Sequence, residues 1–316
     1  MANHPLVLFP GSLGDFLCFL PALEEIASST AGDVVEVAAR GELAEMIGLF
    51  PFVRYSLSLE NRIFAQLFSR PAARRRDEEV LLPFPVSEIF SWFGHSYPEV
   101  EANLRTLTPG QVHSFAFFTG QEDCHASVYY RRCVGAEELR GPSLILGEKE
   151  KQWLDQYWQV QNWPPSSRVL IVHPGSGGQR KRWVAEGFVE VCRWWQKTKK
   201  GKVLVVLGPA EEKEVRQWRQ TGSQVESCLS LLQVAALVSR ADMYLGNDSG
   251  ISHLAGAVGA RGIVLFGPTC PQQWRPLGGA LSIIHNVQYR AAFPDVAGIS
   301  LAEISCADVV ASLARL

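Results

Sequence analysis

Long apolar runs, closely spaced cysteine pairs and an excess of one charge are all missing from this 316-residue sequence. No segment approaches the roughly 18 consecutive apolar residues that a membrane-spanning helix needs. The formal net charge is −2, which argues against a nucleic-acid partner. Seven scattered cysteines without a C-x-x-C pair fit reduced thiols better than a disulfide framework or a zinc site. The first residues lack the features of a signal peptide, so we expect a soluble cytoplasmic protein.

Several cofactor and catalytic motifs are missing as well. No G-K-[ST] occurs, so there is no Walker A loop. The stretch G-S-G-G-Q-R (175–180) has Arg180 where a dinucleotide fingerprint needs its last glycine, which weakens an oxidoreductase interpretation. In N-D-S-G (247–250), Asp248 occupies the central position that a G-x-S-x-G nucleophile elbow reserves for serine. We therefore expect no bound cofactor and disfavour a serine hydrolase.

Apolar segments of strand length alternate with segments of helical periodicity. At 47% hydrophobic and 20% charged residues, the chain can bury a sizeable core, and its length suggests two domains. The alternation predicts parallel sheets of the α/β class, with an interruption at N-W-P-P-S-S (162–167). We predict two doubly wound domains, 1–147 and 148–316; the signal is weak over 61–140. Predicted strands cover 5–10, 33–39, 168–175, 202–208, 243–246 and 262–267, and predicted helices cover 15–26, 42–50, 148–158, 185–198, a stretch from 210, 231–239, 249–258 and 305–316.

Three glycine-bearing turns each follow a predicted strand and precede a helix: F-P-G-S-L-G-D (9–15), H-P-G-S-G-G (173–178) and G-N-D-S-G (246–250). Glycine allows a sharp turn and close approach of a ligand, and the free N–H groups of the next helix favour an anion. Any α/β protein needs small residues at such turns. Three of them, each with a carboxylate or histidine, favour a ligand site at the carboxyl edge of the sheets.

The third turn also predicts a geometry. If Ser249 caps the helix, His253 lies on the same face one turn later and Asp248 stands just outside, pointing beyond the strand end. That arrangement suits a hydroxyl-rich ligand on Asp248 and a phosphate on the Ser249 and Gly250 amides. It does not aim the serine oxygen at His253.

Charged residues follow two further strands. Arg180, Lys181 and Arg182 come directly after the second glycine turn, where they could neutralise a diphosphate or simply be solvated. Glu211 in G-P-A-E-E could accept hydrogen bonds from a ribose or a base, or could be an ordinary acid at a helix start. A mixed charge block, Arg74–Arg76 followed by acids, is interpreted as a solvated loop.

Taken in series, these segments resemble the ADP-heptose:lipopolysaccharide heptosyltransferase family, glycosyltransferase family 9. The strongest match is G-N-D-S-G-I-S-H-L-A-G-A-V-G-A-R-G-I-V-L-F-G-P-T (246–269), and H-P-G-S-G-G-x-x-K-R-W (173–183) and G-S-L-G-D-x-x-x-x-x-P-A-L (11–23) have the family's spacing. The resemblance implies a GT-B architecture: two Rossmann-like domains across a cleft, the N-terminal one for the acceptor and the C-terminal one for the donor. It also implies inverting transfer without a metal, and the sequence contains no D-x-D pair.

The resemblance further implies roles for individual residues. Asp15 corresponds to the catalytic base, on the acceptor-side turn that contains Gly11, Ser12 and Gly14. Lys181 corresponds to the lysine on the donor phosphate and Asp248 to the residue on the donor sugar. The other implied donor contacts are Ser176, Gly177, Glu211, Leu229, Ser249, Gly250 and His253.

The implied partners are a nucleotide-sugar donor and a glycan or glycolipid acceptor such as a lipopolysaccharide core, with peripheral contact at the inner membrane face. Residues 61–140 match no family segment, and they would shape the acceptor site. Two alternatives stay open: a GT-B-fold nucleotide-sugar epimerase and a nucleotide-sugar-binding protein without turnover.

Overall fold

A computed structural model describes residues 3–30, 32–69, 82–286 and 300–316. The chain divides into two compact units, Met1–Leu139 and Arg140–Leu316. The predicted charged block at Arg74–Arg76 lies outside the described residues. No described helix combines the length and apolar character needed to cross a membrane.

The first unit is built on a five-stranded sheet of order β3-β2-β1-β4-β5, in which every paired strand is parallel. Its strands are β1 (His4–Leu8), β2 (Val35–Ala39), β3 (Val53–Ser58), β4 (Val86–Ser91) and β5 (Val112–Ser114), and its α-helices are α1 (Leu13–Ser28), α2 (Ala44–Ile47), α3 (Arg62–Ala65), α4 (Pro98–Leu104) and α5 (Ala126–Cys133). Strands β1 and β2 are buried along their whole length, as expected for the centre of a parallel sheet.

The second unit has a six-stranded parallel sheet of order β11-β10-β9-β6-β7-β8. Its strands are β6 (Val169–His173), β7 (Lys202–Leu207), β8 (Gln224–Ser227), β9 (Met243–Asn247), β10 (Arg261–Phe266) and β11 (Ala280–His285), and its α-helices are α6 (Glu148–Val160), α7 (Ala185–Trp194), α8 (Val215–Arg219), α9 (Leu231–Arg240), α10 (Gly250–Ala257), α11 (Pro271–Trp274) and α12 (Cys306–Arg315). Residues 195–199 continue α7 as a π-helical turn, and residues 209–214 form a 3₁₀ turn before α8.

The predicted fold class is confirmed, because each unit is an α/β layer built on a parallel sheet. The predicted helix over 42–50 is mostly 3₁₀ and turn, with α-helix only over Ala44–Ile47. Parallel strands end at one edge of a sheet, so the turns that follow β6, β9 and β10 lie side by side. This edge of the second unit collects most of the residues that the sequence singles out.

Candidate functional site

Two of the glycine turns are neighbours because β6 and β9 pair, with His173 opposite Gly246. Asn247, which is fully buried at the end of β9, joins the turns. Its side-chain amide donates to the carbonyl of Pro174 at 2.7 Å, and its Oδ1 accepts from the backbone N–H of Trp183 at 3.1 Å. Because both ends of the amide are used, the two loops are held in a fixed relation.

Asp248 is held through both its backbone and its side chain. Its backbone N–H donates to the carbonyl of Leu265 at 2.9 Å, and its own carbonyl accepts from Ser176 Oγ at 2.7 Å. The residue is 5% exposed, and its carboxylate forms an ion pair with Lys181 Nζ at 2.8 Å. The Thr269 hydroxyl donates to the same oxygen, Oδ2. The Asp248 side chain is therefore buried and paired with Lys181, the lysine that the resemblance assigns to the donor phosphate.

Ser249 is the N-cap of α10, as predicted, and its side chain accepts from the backbone N–H of Ser252 at 3.4 Å. Gly250 is the first residue of the helix, and His253 is buried one turn further on. A capping role for the Ser249 oxygen agrees with a ligand-binding turn rather than a catalytic triad. Asp248 directly precedes this N-cap, so an acidic residue adjoins the start of α10, where backbone N–H groups favour an anion.

Glu211 is 3% exposed at the end of β7, where its Oε2 accepts from the backbone N–H of Gly208 at 3.0 Å. Its Oε1 accepts from the guanidinium of Arg182. Arg182 also donates to the carbonyl of Ser176 at 3.1 Å and lies 3.4 Å from Glu214. The guanidinium therefore links the loop after β6 to the turn after β7 and is already committed to protein partners. Of the three predicted cations, Lys181 and Arg182 lie in ion pairs, and Arg180 is exposed.

His173, the last residue of β6, had no predicted role of its own. Burial lowers the pKa of its imidazole, and Nδ1 lies 2.9 Å from the carbonyl of Val206. A carbonyl can only accept, so Nδ1 carries a proton, and the lowered pKa favours the neutral form of the ring. His173 thus ties β6 to β7 directly below the second glycine turn.

Leu229 lies at the far end of the same edge, after β8 and next to Ser230, the N-cap of α9. It is half-buried, and Cys228 before it takes a left-handed conformation with φ of 62°. The chain therefore turns sharply at this point. A pocket lined by the backbone of this turn stays a prediction.

The remaining predicted residues lie in the first unit, at the turn between β1 and α1. Asp15 Oδ2 accepts from the Ser12 backbone N–H at 3.0 Å and from the Ser12 hydroxyl at 2.6 Å. Gly14 is half-buried, and a Cβ on Gly11 would lie 2.4 Å from the Phe9 ring and 2.6 Å from Asp15 Cβ. The turn is therefore closed around the Asp15 side chain, and both hydrogen bonds from Ser12 leave Oδ1 open to a further donor.

Thr269 had no predicted role, and Arg182 was predicted only as one of three cations. Thr269 donates a hydrogen bond to the Asp248 carboxylate. Its position just after β10, at the edge of the sheet where the other candidate residues lie, is the sequence feature that could have identified it. Arg182 was grouped with two other cations, although its partners differ from theirs. Among the described residues no cluster of three or more His, Cys, Asp or Glu side chains could hold a metal ion.

Two glycines of the second turn are expected to have different roles, one in packing and the other in ligand contact. A Cβ on Gly175 would lie 2.6 Å from the Glu211 carboxylate, whereas nothing lies within 4 Å of one on Gly177. We expect Gly175→Ala to destabilise the second unit by about 1–3 kcal/mol through overpacking. Gly177→Ala should leave the melting temperature unchanged and weaken only a ligand that approaches this backbone. Denaturation and ligand titration of both variants check this; equal stability losses would contradict it.

Comparison with known proteins gives one family and several similar folds. A family model described as glycosyltransferase family 9 (heptosyltransferase) matches residues 142–296. No curated protein sequence matches the chain. A glycosyl transferase family 9 structure from Veillonella parvula has a TM-score of 0.79 at 17% identity, covering 99% of this chain and 96% of that one.

Two Escherichia coli structures are similar over nearly their full lengths. ADP-heptose lps heptosyltransferase II has a TM-score of 0.72 at 15% identity, covering 99% of this chain and 98% of that one. Heptosyltransferase WaaC, solved with ADP, has a TM-score of 0.68 at 18% identity, covering 99% of each chain. The likeness at these identities concerns the fold, and together with the two parallel-sheet units it confirms the predicted GT-B class.

Proposed function

Because a glycosyltransferase family 9 model matches residues 142–296, we propose that the protein is an inverting, metal-independent transferase. It moves a sugar from a nucleoside-diphosphate sugar to a glycan hydroxyl. The observation that carries the proposal is the Lys181–Asp248 pair at 2.8 Å, next to the start of α10. A cation, a carboxylate and free helix N–H groups then stand together where a diphosphate linked to a sugar needs all three.

Each group suits one part of the donor. Lys181 and the Ser249 and Gly250 amides offer positive charge and donors to the diphosphate. Asp248 offers a buried acceptor to sugar hydroxyls, while Ser176 holds its backbone in place. Glu211, oriented by Arg182, and the Leu229 backbone are proposed for the nucleoside. Gly177 allows the loop to approach the ligand, and His253 supports the helix start from behind.

The proposed reaction is a single displacement. The acceptor oxygen attacks the anomeric carbon as its proton moves to Asp15, and the bond between that carbon and the diphosphate oxygen breaks. The leaving nucleoside diphosphate keeps the electron pair, and Lys181 and the α10 N-terminus stabilise its growing charge. Attack opposite the leaving group inverts the configuration at the anomeric carbon. Asp15 can take the proton on Oδ1, because Ser12 binds Oδ2.

The proposed donor is an ADP-linked heptose, and the proposed acceptor is a sugar of a lipopolysaccharide core. Support comes from the match to the glycosyltransferase family 9 (heptosyltransferase) model and from the similarity in fold to E. coli ADP-heptose lps heptosyltransferase II and to E. coli heptosyltransferase WaaC with ADP. A glycolipid acceptor would bring the protein into peripheral contact with the inner face of the inner membrane.

The proposal is tested by incubating the protein with ADP-heptose, with and without core glycan acceptors, and measuring ADP release and product mass. ADP release that depends on the acceptor, with inverted anomeric configuration, is the expected result. A changed sugar without acceptor would instead identify an epimerase. Binding without any product would identify a sugar-nucleotide-binding protein.

Turnover should continue in EDTA, because the proposed stabilisation of the leaving group uses a lysine and helix amides rather than a divalent cation. Rates measured with EDTA and with added magnesium or manganese should agree. Loss of activity in EDTA that either metal restores would contradict the proposed mechanism.

A further inference from the structure

The Lys181–Asp248 pair places the two halves of the proposed donor site in competition. The ammonium that would bind the diphosphate is 2.8 Å from the carboxylate that would bind the sugar. A diphosphate that binds Lys181 therefore shares the positive charge that otherwise neutralises Asp248. It also brings negative charge close to that carboxylate. Like charges at such distances oppose binding unless another group compensates.

Asp248 has no simple way to avoid this cost. Its backbone is fixed on both sides, by the bond from its N–H to Leu265 and by the bond that its carbonyl accepts from Ser176. Its side chain is 6% exposed, so water cannot replace the lysine freely. Among the described residues, Thr269 is the one further donor to the carboxylate, and a hydroxyl supplies a hydrogen bond but no charge.

A sugar on the diphosphate changes the balance. Its hydroxyls donate hydrogen bonds to the carboxylate and so stabilise the charge that Lys181 no longer neutralises. A bare nucleoside diphosphate carries no such hydroxyls at that position. The same buried acid is therefore favourable to the donor and unfavourable to the product that remains after transfer.

Resting on the proposed function, we infer that Asp248, Lys181 and Thr269 form a discriminating triplet. It makes the sugar a condition for tight binding of the diphosphate and promotes release of the nucleoside diphosphate after transfer. Asp248 is the specificity-determining residue, and Lys181 is the cation for which Asp248 and the diphosphate compete. Thr269 is a positioning residue that holds Oδ2 towards the sugar.

The test is calorimetric titration of ADP and of ADP-heptose into the parent protein and Asp248→Asn. Asparagine keeps the size and removes the charge, so ADP should bind the variant more tightly, by roughly fivefold or more, the usual lower end of coupling between linked sites. The ratio of ADP-heptose to ADP affinity should fall by at least the same factor. Thr269→Val should lower this ratio without tightening ADP.

Asp155→Asn is the matched control, because it makes the same change in net charge within the same unit. Asp155 is 67% exposed in its pair with Arg240, away from the glycine turns. This variant should leave both affinities unchanged; an equal gain in ADP affinity would show a general charge effect and overturn the inference.

Weaker or unchanged ADP binding by Asp248→Asn, with a parent that binds both ligands, would overturn the inference and leave the proposed function standing. A parent that binds neither ADP nor ADP-heptose would overturn the proposed donor and the inference with it. These two failures are distinguished by the parent titration alone.

Discussion

Asp15→Asn is expected to lower kcat by roughly 10²–10⁴, the usual contribution of a general base, with donor affinity little changed. Asparagine retains an oxygen that can accept the two Ser12 hydrogen bonds, so the turn between β1 and α1 should keep its shape. What is lost is the ability to take a proton from the acceptor hydroxyl. Steady-state kinetics and a melting curve of the variant measure the two effects separately.

The chain contains its own control for a purely structural role of Asp15. Asp308 also lies three residues after a serine N-cap, and the Ser305 hydroxyl donates to its Oδ2 at 2.8 Å, compared with 2.6 Å for Ser12 and Asp15. Asp308→Asn should therefore have a similar small effect on stability and none on kcat. If Asp15→Asn turns over within about tenfold of the parent, or Asp308→Asn loses as much activity, Asp15 is not the base.

Lys181→Ala is expected to weaken ADP-heptose binding by roughly 10- to 150-fold, which corresponds to the about 1.5–3 kcal/mol of hydrogen bonds to a charged group. The variant also leaves the Asp248 carboxylate without its ion-pair partner, so some loss of stability accompanies the loss of binding. Lys181 is 35% exposed, and solvent therefore screens part of that second effect.

Arg180→Ala provides the comparison for Lys181→Ala, since it removes a neighbouring exposed cation from the same 3₁₀ turn, Gln179–Lys181. It should change donor affinity by less than about twofold at physiological salt, where exposed charges are largely screened. Similar losses in both variants would mean that the donor responds to the general positive potential, and Lys181 would have no specific role.

The sequence predicts the most apolar strands of both sheets and misses the edge strands and β4, which lies between β1 and β5. Strands β1, β6 and β9 are buried throughout and appear as short apolar runs. Strands β3, β8 and β11 lie at or next to the ends of the sheets with mostly half-exposed side chains, so their composition does not distinguish them from loops. Edge strands can be recognised only from the neighbour with which they pair.

The candidate site shows the same limit. The glycine turns and the capping serine follow from local rules, so the start of α10 was predicted closely. The ion pair of Lys181 with Asp248 joins residues 67 positions apart on the loops after β6 and β9, and the Arg182–Glu211 pair joins the loop after β6 to the turn after β7. Such partners depend on strand order, which residue types and spacing do not reveal.

The measurement that tests the central claim most directly is a thermal-shift screen of the parent protein with nucleoside diphosphates and nucleotide sugars. A ligand at a hundredfold excess over its Kd stabilises the folded state by about 2.7 kcal/mol. We expect ADP-heptose to raise the melting temperature by several degrees, ADP to raise it less, and Lys181→Ala to reduce both shifts. Equal melting temperatures with and without every nucleotide at millimolar concentration would contradict a donor site at the ends of β6, β7 and β9.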